Sequence, residues 1–249
     1  MRLWRHQFRV EQLLFWRSRE LAFFTFLLPI VFLVLLGSAY GDETVDGVSG
    51  YEFLLAGMLG YGSASTTFAG LGIILVLRRE SGTLKRLRAT PLPSRTYLAA
   101  IFCSFVFVYF VEAAILIVLA RTIFDVAVPA RLLSLVVVLF VGAASFTALG
   151  VGVSTLVRTA EGASAVINAI YLPAAFIAGA FFSTDAFPEI LQWLANVLPL
   201  SHFIAAVRDV VIDEDHAWSE AGNLAVVAAW GLVGAVLAVR RFRWEPRER

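Results

Sequence analysis

The stretch from residue 78 to residue 93 sets five basic side chains and one acid, Glu80, between two long apolar runs. Charge this dense cannot lie in hydrocarbon, so the stretch must lie at a membrane surface. Its positive charge can attract anionic groups electrostatically. By charge alone it is a solvated basic loop held near anionic lipid head groups.

The same stretch also predicts a short surface helix. Gly82 offers a break, and Thr83 is predicted to be the N-cap of the helix that follows. Leu84 and Leu87 are spaced i, i+3 and therefore share one face. Pro91 ends whatever helix has begun.

Glu112 is the second candidate for chemistry, because it lies well inside an apolar run. An acid within a membrane span is costly and marks a functional site by default, here one that handles substrate or protons. The alternatives are that Glu112 pairs with a neighbouring helix, or that it lies close enough to the outer surface to be hydrated.

The composition places these residues in an integral membrane protein, since 59% of the 249 residues are apolar and only 16% are charged. The net charge of +1 leaves no global basic field, so no nucleic-acid partner is expected. The single cysteine, Cys103, sits in an apolar run; we expect a core residue that forms no internal disulfide.

Apolar runs predict six transmembrane helices, giving an all-α integral membrane fold with one domain over residues 1–249. The loop after the first span carries Asp42, Glu43 and Asp46 without a lysine or arginine, so it is expected outside. The predicted spans are residues 22–40, 53–77, 97–120, 132–157, 164–182 and 221–239, and the cytoplasmic loop is 78–96.

Two predicted segments flank the spans. Residues 1–20 alternate arginines with apolar and aromatic side chains at helical spacing, which predicts an amphipathic helix in the membrane interface that contacts lipid and orients the first span. Residues 185–212 contain two helices too short to span, with Ser201 as the predicted cap of the second, and we expect them to be re-entrant on the outer side.

The distribution of basic residues predicts the topology. With six spans and both termini in the cytoplasm, 17 of the 20 lysines and arginines fall inside. The exceptions are Arg121, Arg131 and Arg208.

Several kinds of chemistry are excluded by what the chain lacks. There is no Gly-Lys-Ser/Thr phosphate loop, so another protein must supply the ATP binding and hydrolysis for any ATP-driven step. The histidines fall outside the spans, which argues against an intramembrane serine hydrolase. They are also far apart in sequence, so no metal site is expected.

Small and hydroxyl side chains, among them Ser63 and Thr67, fill the second span, which should therefore face protein or a cavity rather than lipid. The fifth span holds Asn168, Tyr171 and Pro173 within two turns. That set suits the wall of a cavity, although an interhelical hydrogen bond from Asn168 is the alternative.

The order of these features resembles the permease subunit of ABC-2 type exporters, and the resemblance covers nearly the whole chain. Within that family, the basic loop resembles most the loops of the drug and antibiotic exporters. The residues that carry the resemblance are Arg79-Glu80-x-Gly82-Thr83-Leu84-x-Arg86-Leu87-x-x-Thr90-Pro91, then Asn168-x-x-Tyr171-x-Pro173, and then Pro199-Leu200-Ser201-His202.

The resemblance implies a multi-pass cell-membrane transport subunit that is not itself an enzyme. Two copies of a separate ABC ATP-binding subunit would bind ATP and Mg, and this chain would hold no cofactor. A second permease chain, identical or a sister, would complete the pore. The residues implied for coupling to the ATPase are Glu80, Gly82, Thr83, Arg86 and Leu87. Those implied for the substrate pathway are Ser63, Thr67, Asn168 and Tyr171, with Glu112 as a further candidate.

Two other classes of function stay open at this point. One is a proton-coupled carrier or membrane enzyme centred on Glu112. The other is a membrane scaffold without transport activity.

Overall fold

The computed structural model describes residues 2–40, 43–45, 47–185 and 187–242. Asp42, Asp46, Arg243, Arg247 and Arg249, which entered the topology argument, lie outside the described residues, as do positions 1 and 186. The helices in chain order are α1 (Arg2–Arg17), α2 (Arg19–Tyr40), α3 (Gly50–Gly62), α4 (Leu71–Glu80), α5 (Thr83–Arg88), α6 (Ser94–Phe124), α7 (Leu132–Ser154), α8 (Ala160–Ile177), α9 (Glu189–Val197), α10 (Pro199–Val211) and α11 (Ala221–Arg241).

The predicted all-α membrane fold with six spans is confirmed. Among the described residues, six helical segments are long and apolar enough to cross a membrane, and one of them, Gly50–Glu80, contains both α3 and α4. The second and third spans extend beyond the predicted 53–77 and 97–120, because their polar ends remain helical. The fifth begins at Ala160 and ends at Ile177, several residues earlier than predicted.

The second span is the centre of the bundle. It runs for 31 residues from Gly50 to Glu80, and most of its residues are buried against other helices. Its middle, Ser63–Gly70, is π-helical; we call this the π segment. Composition alone did not predict this change of helix type.

The core is formed by α3, the π segment, α6, α7 and α10. Only 17%, 22% and 17% of the residues in the apolar stretches of α2, α8 and α11 are buried within this chain, as expected for helices that contact lipid or another chain. Backbones approach closely at several glycines, of which Gly57 and Gly152 are examples. A Cβ added to Gly57 would lie 1.9 Å from the carbonyl oxygen of Ala180, and one added to Gly152 would lie 2.7 Å from that of Gly234.

A two-stranded antiparallel hairpin, which the all-α prediction did not include, joins α2 to α3. Strand β1 (Thr44–Val45) pairs with β2 (Val48–Ser49), with Thr44 opposite Ser49 and Val45 opposite Val48. The turn contains Gly47 at φ 83°, a left-handed conformation that glycine adopts without strain.

The helices α9 and α10 form the expected pair, meeting at Leu198 with a bend of 82°. Ser201 is not the cap of the second helix, and this prediction is wrong. The cap is Leu198, and the helix begins three residues earlier than predicted because Pro199 takes the first helical position, where a missing N–H has no cost.

Candidate functional site

The end of the bundle that carries α1 and α5 holds the candidate site; we call it the basic end. The helix α4 ends at Glu80, and Gly82 turns the chain with φ 69°. Gly82, not Thr83, is the N-cap of α5, so the cap prediction is wrong by one residue. A left-handed φ is strained for a β-branched residue, whereas glycine accepts it, and Thr83 becomes the first helical residue.

The apolar face of α5 anchors it to the bundle. Leu84 is fully buried and Leu87 packs against the same cluster, which includes Leu71, Tyr97 and Phe105 of the neighbouring helices. The predicted shared face of Leu84 and Leu87 therefore forms. On the other side, Lys85, Arg86 and Arg88 are exposed.

Arg79 closes the end of α7. Its side chain is buried, at 4% exposure, and donates from Nη1 to the carbonyl oxygen of Ser154 at 3.0 Å and from Nη2 to that of Val157. The last carbonyls of a helix lack partners within it, and they carry partial negative charge. Arg79 supplies both the hydrogen-bond donors and the positive charge that favour this end of α7.

Glu80 closes the start of α8. Its carboxylate accepts a hydrogen bond from the backbone N–H of Ala160, the first residue of that helix. Thr159 adds a side-chain cap by accepting from the N–H of Gly162 at 3.1 Å. A carboxylate at a helix N-terminus is favoured by the helix dipole.

Arg79 and Glu80 thus hold the two sides of the α7–α8 connection from the end of α4. Beneath them, Val76 packs against Val157 and Ala163 in a small apolar cluster. We call these five residues the α4 joint. It ties α4, the last part of the second span, to both α7 and α8. The sequence placed Glu80 in the coupling set, but it did not reveal this contact within the chain.

A second polar network fixes α1 at the basic end. Glu11 is almost fully buried and lies 2.8 Å from Arg78, while Gln7 donates to its other carboxylate oxygen at 2.8 Å. Arg78 also donates to the hydroxyl of Tyr97 at 2.9 Å. Gln12 donates to Ser104 of α6.

The sequence did not lead us to predict this network. The feature that could have indicated it is the pair of polar residues Gln7 and Glu11, spaced i, i+4, in the middle of the arc of α1 that carries Trp4, Phe8 and Phe15. The apolar side chains Leu3 and Leu14 remain exposed beside this arc, which agrees with an interface helix that contacts lipid.

The pathway candidates separate into two groups. Ser63 and Thr67 are fully buried in the π segment, and the Thr67 hydroxyl donates to the Ser63 carbonyl at 2.7 Å. Glu112 is 1% exposed and accepts from the hydroxyl of Thr66 at 2.6 Å. In this conformation these three candidates lie inside one chain.

Asn168 and Tyr171 lie on α8. Asn168 is half-buried and donates to Ser164 one turn earlier at 3.2 Å. Tyr171 lines an apolar cleft of about 210 Å³, with Phe68, Phe146 and Trp230 among its walls. Of the predicted set, Tyr171 is the residue that lines this cleft.

Metal binding finds no support in the part of the chain that the structure describes. No three His, Cys, Asp or Glu side chains there come close enough to hold a metal ion.

Comparison with known proteins agrees with this architecture. The sequence profile of the ABC-2 type transporter family matches residues 3–212. A protein of Bacillus subtilis (strain 168) named "Putative transport permease YvfS" is 23% identical over 224 residues, covering 89% of each chain. A protein of Porphyra purpurea named "Putative transport permease ycf38" is 26% identical over 226 residues, covering 87% of this chain and 75% of that one. The profile covers most of the chain, including the α4 joint and the α9–α10 pair, and the chain therefore belongs to the ABC-2 type transporter family as a membrane-spanning transport permease.

Proposed function

We propose that this permease is the membrane subunit of an ATP-driven exporter. A separate ABC ATP-binding subunit, present in two copies, binds ATP and Mg and docks on α5. The permease pairs with a second permease chain, identical or a sister. Closure of the ATP-binding subunits pushes α5, and the spans respond by alternating access.

The α4 joint is the observation that carries this proposal. A push on an isolated loop would be absorbed by bending of the loop. Here Leu84 and Leu87 fix α5 to the bundle, and Arg79 and Glu80 bind the ends of α7 and α8. The push therefore has a rigid path into three spans. In the coupling set, Gly82 supplies the turn, Leu87 the anchor, and Thr83 and Arg86 the helix itself.

The orientation follows from charge. The basic end, with α1, α5 and the end of α11, is placed in the cytoplasm with both termini, and the hairpin and the α9–α10 pair face outward. The host membrane is the plasma or inner membrane. The outer acids Asp209 and Asp213–Asp215 are consistent with this direction.

The cargo is an amphiphilic drug, antibiotic or lipid-like molecule. The cleft beside Tyr171 is lined by apolar side chains, which suits the apolar part of such a cargo. Asn168, on the same helix, supplies a polar group nearby. Ser63, Thr67 and Glu112 join the pathway only if the spans separate around the π segment.

Co-purification with the ATP-binding subunit tests the proposal. The permease is isolated in mild detergent, the complex is reconstituted in vesicles, and ATP hydrolysis and ATP-dependent movement of a fluorescent amphiphile are measured. We expect the permease to alter the hydrolysis rate and ATP to drive dye transport. Complexes that never contain an ATP-binding subunit, or transport that persists without ATP, would overturn the proposal.

A further inference from the structure

The π segment interrupts a helix that is otherwise regular. Gly62 before it and Leu71 after it both have ordinary right-handed helical angles, so the span is continuous through the change. A π turn closes its hydrogen bonds from i to i−5, and therefore holds one residue more than an α turn. Such turns are rare and often occur at functional sites.

A carboxyl group from α6 is bonded to this segment. The Glu112 carboxyl accepts from the Thr66 hydroxyl at 2.6 Å through Oε2. Its other oxygen, Oε1, has no hydrogen-bond partner among the described residues. A Cβ added to Gly62 would lie 2.5 Å from this Oε1, so the carboxyl fills the space that the glycine leaves.

Thr66 differs from its neighbours Ser65 and Thr67 in the hydrogen-bond partner of its hydroxyl group. Thr67 donates to the Ser63 carbonyl at 2.7 Å, and Ser65 donates to the Gly62 carbonyl at 3.2 Å, so both bond back to their own helix. The Thr66 hydroxyl instead leaves the helix and binds α6. A side chain bonded in this way can hold a helix away from its regular geometry.

We propose that Glu112 is a positioning residue that holds the π segment in place through Thr66, and thereby sets the register between α3 and α4. In an α-helix, one additional residue adds about 100° of rotation and 1.5 Å of rise. If the segment reverted to α-helix with all its residues present, α4 would turn by that step relative to α3. The α4 joint would then no longer match α7 and α8.

The link from register to transport rests on the proposed function, but the register itself does not. It can be read by cross-linking single cysteines at positions 73–76 of α4 with a cysteine at position 105 of α6, in a Cys103→Ser background. Ile74 and Phe105 pack in one cluster. We expect the wild-type cross-linking maximum near position 74 and a shift by one position in Glu112→Leu and Thr66→Val.

The decisive variant is a deletion. Removing Ser65 takes out the extra residue, so the segment becomes α-helix while α3 and α4 keep their register. We expect this deletion to be tolerated, whereas deleting Ala56, in the α-helical part of the same span, abolishes assembly. The deletion of Ser65 should also restore the register and the export activity of Glu112→Leu.

Glu112→Gln distinguishes positioning from acid chemistry, since the amide oxygen still accepts from Thr66. We expect export within about threefold of wild type for this variant, and a loss of about tenfold for Glu112→Leu and Thr66→Val. A Glu112→Gln variant as impaired as Glu112→Leu would overturn the inference. So would an unshifted register in both Glu112→Leu and Thr66→Val, or a Ser65 deletion that fails as the Ala56 deletion does. If wild type shows no ATP-dependent export, the proposed function fails, and the cross-linking result still decides the inference.

Discussion

Glu11 and Arg78 form an ion pair of 2.8 Å that joins the N-terminal helix to the last turn of the second span. The Glu11 side chain is 2% exposed and that of Arg78 is 17% exposed. Arg78 lies between Val76 and Arg79, which both belong to the α4 joint. The helix α1 is therefore fixed to the part of the span that receives the push from α5 in the proposed mechanism, and not merely to the membrane surface.

Glu11→Ala should destabilise the permease, because it leaves Arg78 without its carboxylate in a mostly buried site. We expect a loss of about 1–3 kcal/mol, seen as a lower melting temperature of the purified permease in lipid nanodiscs. Glu20→Ala, which removes an exposed acid at the start of α2, is the control. Equal melting temperatures for the two variants would show that the ion pair contributes nothing.

Glu80→Ala should uncouple ATP hydrolysis from export while the complex still assembles. It removes the acceptor for the Ala160 N–H, so the N-terminus of α8 is no longer held to α4. A lost charge-assisted cap of about 1–2 kcal/mol corresponds to about a tenfold change in a coupled step. Glu80→Gln keeps an acceptor and should fall between wild type and Glu80→Ala.

Glu161→Ala is the matched control for this pair, since Glu161 is an exposed acid in the first turn of α8. The measurement is dye efflux per ATP hydrolysed in reconstituted vesicles. Normal efflux in Glu80→Ala would remove the role assigned to this cap.

Gly82→Ala should cost about 1 kcal/mol, because alanine resists the φ of 69° at this position. No atom lies within 4 Å of the added Cβ, so the cost is conformational and not steric. Gly82→Asn should be tolerated better, and Gly82→Pro should displace α5 and abolish coupling, since proline fixes φ near −65°.

The control for this series is Gly222→Ala in the first turn of α11, where the added Cβ also meets nothing within 4 Å. Thermal unfolding and dye efflux are both measured. A Gly82→Ala variant as stable as Gly222→Ala would contradict the strain argument.

Lys85→Glu should weaken binding of the ATP-binding subunit by about tenfold and reduce the dependence of binding on salt. Lys85 is exposed on the side of α5 opposite Leu84 and Leu87, where a docking partner would meet it. Arg121→Glu, at the opposite end of the bundle, is the control. Binding is measured by titrating the purified subunit onto permease in nanodiscs, and equal affinities for the two variants would remove Lys85 from the interface.

The sequence was sufficient to predict the spans, the surface helix α5 and the bent pair of helices before the last span. Long apolar runs bounded by charge determine where a chain crosses a membrane. Gly82 was recognised as a break for the reason that the structure gives. Thr83 and Ser201 were predicted as caps from residue type alone. In both cases the backbone of a preceding residue decided where the helix begins: Gly82 accepts the left-handed φ of its cap position, and Pro199 fits the first helical position.

What could not be predicted depends on contacts between distant parts of the chain. Arg79 and Glu80 read as two charges in a basic loop, because their partners at Ser154 and Ala160 come about 75–80 residues later. The π segment depends on Glu112, which is 46 residues away from Thr66. A hydrophobic pattern shows that a helix forms, but it does not show which side chain from another helix will contact it.

The close approach of Gly152 and Gly234 extends the reach of the α4 joint to a helix that it does not touch. The two backbones meet without side chains between them, so we expect α11 to move together with α7. In the proposed mechanism, Arg79 and Glu80, which hold α4 to the ends of α7 and α8, therefore also control the position of the last span.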